Sequence, residues 1–243
     1  MTSVKLLAHT IIDSDALAEL GYEVHGYNNK APFITEVEQD ADELAEMAGR
    51  NCYLSFSRPN PKTATNSGYL DHIIEVGHES VLEHASATFH INASRSVLAE
   101  LERHRHLSFS VVSQRYVDVS KLDHHVPPAV EDLPDDAFDK AMAILERSTN
   151  RALDDYDELV DLFVEAGKPR KQAREAARAV IPNMTDSPMV VTGNHRAWRY
   201  VIKARWHEAA DAEIRELAGL LLGELRKIAP NTYRDIPDEP YKY

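Results

Sequence analysis

Two long runs of helical periodicity constrain this chain more than any other feature. Over residues 134–166, Phe138, Met142, Leu145, Ala152, Tyr156, Leu159 and Phe163 recur on one face, and Gly167 with Pro169 ends the run. Over residues 195–229, Ile214, Leu217, Leu221, Leu225 and Ile228 form a second such stripe. Shorter helices are expected at 39–49, 67–76, 94–105 and 170–181, the last stopped by Pro182. Strand signals are few. ASATFHINA at 85–93 alternates, and PMVVTGN at 188–194 is a short strand ending in an N-cap, Asn194. The N-terminus reads as a short strand leading into a helix, and residues 28–38 and 57–66 carry the Pro and Asn punctuation of loops. The expected fold is α+β: one helix-rich domain over residues 1–243 with a small, mainly antiparallel sheet.

Forty acidic residues against 27 basic ones give a formal net charge of −13. Phosphate repels such a chain unless its cations are concentrated, so the places where they gather matter. Cys52 is the only cysteine, which forbids an internal disulfide or a cysteine-rich metal site and fits a cytoplasmic protein. No apolar run approaches the roughly 18 residues of a membrane span, and the N-terminus turns acidic too soon for a secretory signal.

Polar chemistry gathers in four places. RHRHLSFSVVSQRY at 103–116 holds Arg103, Arg105 and Arg115, two histidines and no acid. Continuing the helical spacing past Leu98 and Leu101 puts Arg105 on the core side, where an unpaired guanidinium is costly. Glu100 and Glu102 are too few to balance these cations, so the segment is either an anion site or a solvated basic loop. GHESVLEH at 77–84 offers metal-ligand types, but Leu82 stands where a second His of HExxH belongs. A capping box from Ser80 to Glu83 is expected there, and no metal site. RKQAREAARAVIP at 170–182 repeats Arg170, Arg174 and Arg178 on one face, an exposed basic stripe or a wall that a ligand approaches closely. In TGNHRAWRYVIKARWHE at 192–208, the stripe of Trp198, Val201 and Ile202 continues into Arg205, which should point inward toward an anion or a carboxylate. Cys52, in AGRNCYLSF, is expected to be a small buried hydrophobe.

Arg103-His104-Arg105, then seven residues, then Ser113 resembles the signature of the flavin-dependent thymidylate synthases. RNCYLSFSRPNPKTATNSGYL, GHESVLEH, ARAVIPN and VVTGNHRAWR resemble that family too, in order, from about residue 45 to 230. The resemblance implies FAD as cofactor, with contacts from Ser80, Arg103, His104, Arg105, the backbone near Val111, Asn194, His195, Arg196 and Tyr200. It implies dUMP against Glu100, Leu101, Glu102 and Arg103, against Val111, Val112, Ser113, Gln114 and Arg115, and against Arg178 and Arg205. Methylenetetrahydrofolate would give the carbon and NADPH the electrons, in a homotetramer whose sites lie between subunits. Arg205 would be the catalytic residue, stabilising charge on the uracil ring.

The chain departs from the family at Val111, where many members have Glu or Gln, and at Ser110, where many have Asn. It has Ala209 where members often have His four residues past Arg205, and His207 lies roughly 160° around the helix from that position. A nucleic-acid binder built on 103–115 and 170–178 is disfavoured by the net charge and by aromatics that do not interleave with the cations. A metal-dependent hydrolase lacks a closed set of ligand spacings.

Overall fold

The computed structural model describes residues 1–20, 22, 39–55 and 60–242. The loop expected at 28–38, and residues 57–59 of the other expected loop, lie outside these. The order is β1 (Ser3–His9), α1 (Ser14–Glu19), α2 (Asp40–Tyr53), α3 (Asn66–Glu75), β2 (Ser86–Asn92), α4 (Arg95–Leu101), β3 (Ser108–Val111), α5 (Pro128–Glu131), α6 (Asp135–Glu165), α7 (Arg170–Ala177), β4 (Met189–Asn194), α8 (His195–Arg205) and α9 (Ala212–Ile228). This is the helix-rich α+β arrangement expected. No helix among the described residues is long and apolar enough to cross a membrane.

The four strands form one antiparallel sheet in the order β1-β2-β4-β3. Alternation turns Ala87, Phe89 and Ile91 of β2 and Met189 and Val191 of β4 to one face, where they are buried. Onto that face packs α8, with Trp198 edge-on to Phe89 at 5.2 Å and its indole N–H donating to the Ala87 carbonyl at 3.1 Å. Gly193 permits the approach: a Cβ there would stand 2.4 Å from Leu107 and 3.2 Å from the Trp198 ring nitrogen. Behind α8, the predicted stripe of α9 (Ile214, Leu217, Leu221, Leu225 and Ile228) is buried in the same core. A smaller cluster joins α2 and α3 through Ala45, Tyr69, Leu70 and Ile73, and another seats α7 on α6 through Tyr156, Val160, Ala173 and Ala177.

Several expectations need correction. The helix expected over 94–105 stops at Leu101, because the chain turns to enter β3. β3 itself was not anticipated. Its four residues do alternate, with Phe109 and Val111 packed against the core and Ser108 and Ser110 exposed. The helix expected over 195–229 is two helices, separated at Trp206, with Asp211 accepting from Glu213 N at 3.0 Å to start α9. Residues 79–83 form a 3-10 turn whose capping residue is His78, so Ser80 caps nothing. Cys52 is exposed, since it falls on the outer face of the last turn of α2.

The C-terminal segment is tied in by buried polar groups. Asp42 of α2 accepts from Asn231 N at 2.8 Å, Thr232 N at 3.0 Å and the Thr232 hydroxyl at 2.6 Å. Arg199 of α8, its side chain 1% exposed, donates two hydrogen bonds to the Asp235 carboxylate, at 2.7 and 2.8 Å, and one to the Thr232 carbonyl. Removing Asp235 takes both short hydrogen bonds from a buried cation and leaves Glu79, at 3.7 Å, as its only carboxylate partner among the described residues. Because Asp235 is itself about a third exposed, Asp235→Ala is expected to cost about 2–3 kcal/mol, below the full buried-pair value. The midpoint of urea unfolding measures this.

Candidate active site

The 100–115 segment forms the wall between two cavities. One, of about 650 Å³, is lined by Arg103, Arg105, His106, Asn194, Arg196, Ala197 and Tyr200 together with Glu79 and Glu83. The other, of about 420 Å³, is lined by Arg95, Glu102, Val111, Val112, Ser113, Gln114, Arg115, Glu175 and Arg178 with Leu98. Consecutive residues Glu102 and Arg103 therefore line different cavities. A turn after α4 causes this, because the chain reverses at 102–107 before β3 starts.

Arg205, the last residue of α8, lines neither cavity but is bonded to residues 100 and 104 of the dividing segment. Its Nη1 donates to the Glu100 carboxylate at 2.7 Å, its Nη2 to the Glu100 carbonyl at 3.3 Å, and its Nε to His104 Nε2 at 3.1 Å. The inward orientation expected for Arg205 holds: its side chain is 18% exposed. Since a guanidinium can only donate, His104 Nε2 must accept, which puts the ring proton on Nδ1. Burial, and then the charges of Arg205 and Arg103, push His104 down to about 4, so it is neutral at physiological pH. The Tyr200 ring meets it edge-on at 5.5 Å.

Arg105 does not point inward. It is exposed, and the buried position of the turn goes to His104, because helical periodicity ends with α4. Neither Arg103 nor Arg105 forms an ion pair with any described residue, nor does Arg178. Arg174, of the same predicted stripe, is used structurally: it pairs with Asp118 at 3.0 Å and donates to the Tyr116 carbonyl at 2.6 Å. Arg115 lies 3.7 Å from Glu175. Gln114 is 5% exposed and its amide nitrogen has no partner among the described residues.

Asn194 caps α8 as expected, accepting from Ala197 N at 2.8 Å. His195 turns its side chain into the core, 2.9 Å from the Tyr233 hydroxyl, so only its main chain is near the first cavity. The Leu101 side chain is likewise in the core. Arg196 is paired with Glu83 at 2.5 Å across the mouth. Ser80 lines a third cavity, of about 330 Å³, with Cys52, Tyr53, Tyr69, His78 and Arg196. Arg95 and Glu79 were missed in the sequence. Arg95 follows the helix cap Ser94 without any periodic signal, and Glu79 reads there only as part of a capped turn.

His195, like His104, is pushed down to about 4, in its case chiefly by burial. A depressed histidine contributes stability above its ordinary pKa, which is lost as pH falls toward the folded value. Asp42, raised by burial to about 6, works the other way, but as one group against two. Thermal stability is expected to decline as pH falls from about 6.5 toward 4, and to decline less steeply in His104→Gln. A melting series across that range checks both.

Residues 34–231 match the model of the thymidylate synthase complementing protein family. The chain is 64% identical over 242 residues to a probable flavin-dependent thymidylate synthase of Mycobacterium phage L5, covering 98% of this chain and 99% of the phage protein. It is 65% identical over 240 residues to the probable flavin-dependent thymidylate synthase of Mycobacterium phage D29, covering 99% and 98% respectively. It is 51% identical over 212 residues to the flavin-dependent thymidylate synthase of Mycobacterium tuberculosis, 84% of this chain and 82% of that one. With a family match over most of its length and relatives of this identity, the chain belongs to the thymidylate synthase complementing protein family.

Proposed function

We propose that this single-domain protein is a flavin-dependent thymidylate synthase, which methylates dUMP to dTMP using methylenetetrahydrofolate and NADPH and assembles as a cytoplasmic homotetramer. One observation carries the reading: a single cationic segment divides its arginines between two adjoining cavities, which suits two phosphate-bearing ligands. The larger cavity fits FAD. Arg103 and Arg105 have no carboxylate partner among the described residues, so a pyrophosphate would balance them, and the exposed Tyr200 offers a ring face beside them. Arg196 and Asn194 complete that wall. A bound flavin, once reduced by NADPH, supplies hydride chemistry there.

dUMP would lie in the smaller cavity, with its phosphate against Arg178 and Arg115 and with hydrogen bonds from Ser113 and the Gln114 amide. Val111 has no polar side-chain atom, so a contact there uses its main chain. Arg205, oriented by Glu100 and neutral His104, would stabilise negative charge that develops on the uracil ring. The helical comparison of Ala209 with His207 loses its basis, because α8 ends at Arg205 and neither residue is helical. Ser113 is a binding hydroxyl here and no nucleophile: no histidine lines its cavity, and His104 has its Nε2 committed to Arg205.

Tritium release from labelled dUMP, with FAD, NADPH and methylenetetrahydrofolate present, tests the activity. Arg103→Ala or Arg105→Ala is expected to weaken FAD binding by about 1.5–3 kcal/mol, the value of a charge-assisted hydrogen bond. Unchanged flavin-fluorescence titrations in both variants would move those arginines to a structural role. Cys52→Ser is expected to keep its turnover, since Cys52 lines neither of the two cavities assigned to FAD and dUMP. Complete loss of tritium release in a folded, FAD-loaded variant would mean that an enzyme thiol activates the ring.

A further inference from the structure

The last residue of a helix is among its least constrained, because the final carbonyls lack partners and helix ends fray. Arg205 occupies that position, and no glycine cap follows it. The residue after it, Trp206, is half-buried but is held at several points. Its N–H donates to the Ile202 carbonyl at 2.7 Å, and its ring lies on Gly219 of α9, where a Cβ would come within 2.6 Å of it. The indole N–H donates to the Pro237 carbonyl at 3.1 Å. The Trp206 carbonyl accepts from Tyr241 N at 3.0 Å, and the Tyr241 carbonyl accepts from Glu208 N at 3.0 Å, so that His207 and Tyr241 pair as a short parallel bridge.

The segment that does this is itself anchored. Tyr233 and Ile236 are buried, Asp235 grips Arg199, and Arg226 of α9 pairs with Asp238 at 2.5 Å and donates to the Ile236 carbonyl. The family match ends at residue 231, so this whole segment lies beyond it. Tyr241 thus pins the carbonyl of the C-cap residue, one residue after Arg205 in the chain.

We propose that the C-terminal segment 233–242 is a strap that positions Arg205 for the reaction, acting through Trp206 and its pairing with Tyr241. Tyr241, Pro237 and Trp206 are positioning residues and touch no substrate. The inference rests on the role given to Arg205 above.

The test compares the full chain with a chain ending at Asp238, which keeps the Asp235–Arg199 and Asp238–Arg226 pairs and the Pro237 carbonyl but loses Tyr241. A second variant, Trp206→Phe in the full chain, removes only the indole donor and the outer ring, so a folding failure of the shortened chain does not end the test. Two quantities are read: kcat, and the 15N resonance of His104 Nε2, which reports the hydrogen bond from Arg205. A displaced guanidinium is expected to lower kcat about 10- to 100-fold, the usual penalty for a misplacement near 1 Å. The His104 signal shifts with it, while FAD affinity stays within about twofold because the Arg103–Arg105 cavity is untouched. Unchanged kcat, or an unmoved His104 signal, overturns the proposal. If Arg205→Ala in the full chain keeps its turnover, the role of Arg205 is what fails; the His104 signal still reports whether the strap holds it.

Discussion

The contact on which the rest depends is α8 lying against the sheet. Phe89, Val191 and Trp198 fix its depth, Gly193 lets it come close, and the indole hydrogen bond to Ala87 fixes its rotation. From that one placement follow three polar consequences along the helix. Asn194 and Arg196 at its start face the larger cavity, Arg199 in its middle reaches the C-terminal segment, and Arg205 at its end reaches Glu100 and His104. A change in helix rotation would move all three together. The candidate site is therefore built on rigid elements, with loops contributing mainly the walls.

Charge explains why the site lies where it does. In a chain of net charge −13, arginines not needed for ion pairs are conspicuous, and Arg103, Arg105 and Arg178 have no such partner among the described residues. Several other arginines are spent on structure, Arg199 on Asp235, Arg174 on Asp118 and Arg226 on Asp238, while Arg147 and Arg170 form no ion pair with a described residue and line neither cavity. The basic stripe read at 170–178 thus splits between two uses, and sequence spacing alone could not separate them. Arg174 points back toward the 116–118 loop, whereas Arg178 sits past the end of α7 on a tighter turn that rotates it to the cavity.

What was legible in the sequence was whatever depended on local periodicity or on a contiguous motif. The stripe of α9, the alternation of β2 and the Asn194 cap follow from spacing, and the structure keeps them, whereas of the α6 stripe only Tyr156 is buried and the rest are half-buried. Two of the differences share a cause: a periodic pattern runs on past the point where tertiary packing ends the element. Arg105 was placed inward by continuing α4 through a turn, and α8 was fused to α9 across Trp206, whose own apolar ring disguises the break. β3 is too short for its alternation to stand out, although Phe109 and Val111 carry it. Cys52 has an apolar neighbourhood in sequence but falls on the outer face of its helix. No local signal reports which face of α2 the α3 packing will cover.

The central triplet of Arg205, Glu100 and His104 shows how a guanidinium can be held firmly without being sealed from water. Glu100 neutralises it, yet at 32% side-chain exposure that carboxylate keeps contact with water and forms no sealed ion pair. His104 adds direction without adding charge. A protonated imidazole beside the guanidinium would repel it, and a tautomer with the proton on Nε2 would offer it a donor; only the neutral Nδ1–H form accepts from Arg205 Nε. The burial that keeps His104 neutral comes from the turn after α4, the same turn that sends Arg103 and Glu102 into separate cavities. One reversal of the chain therefore separates the walls of the two cavities and carries the imidazole that orients Arg205.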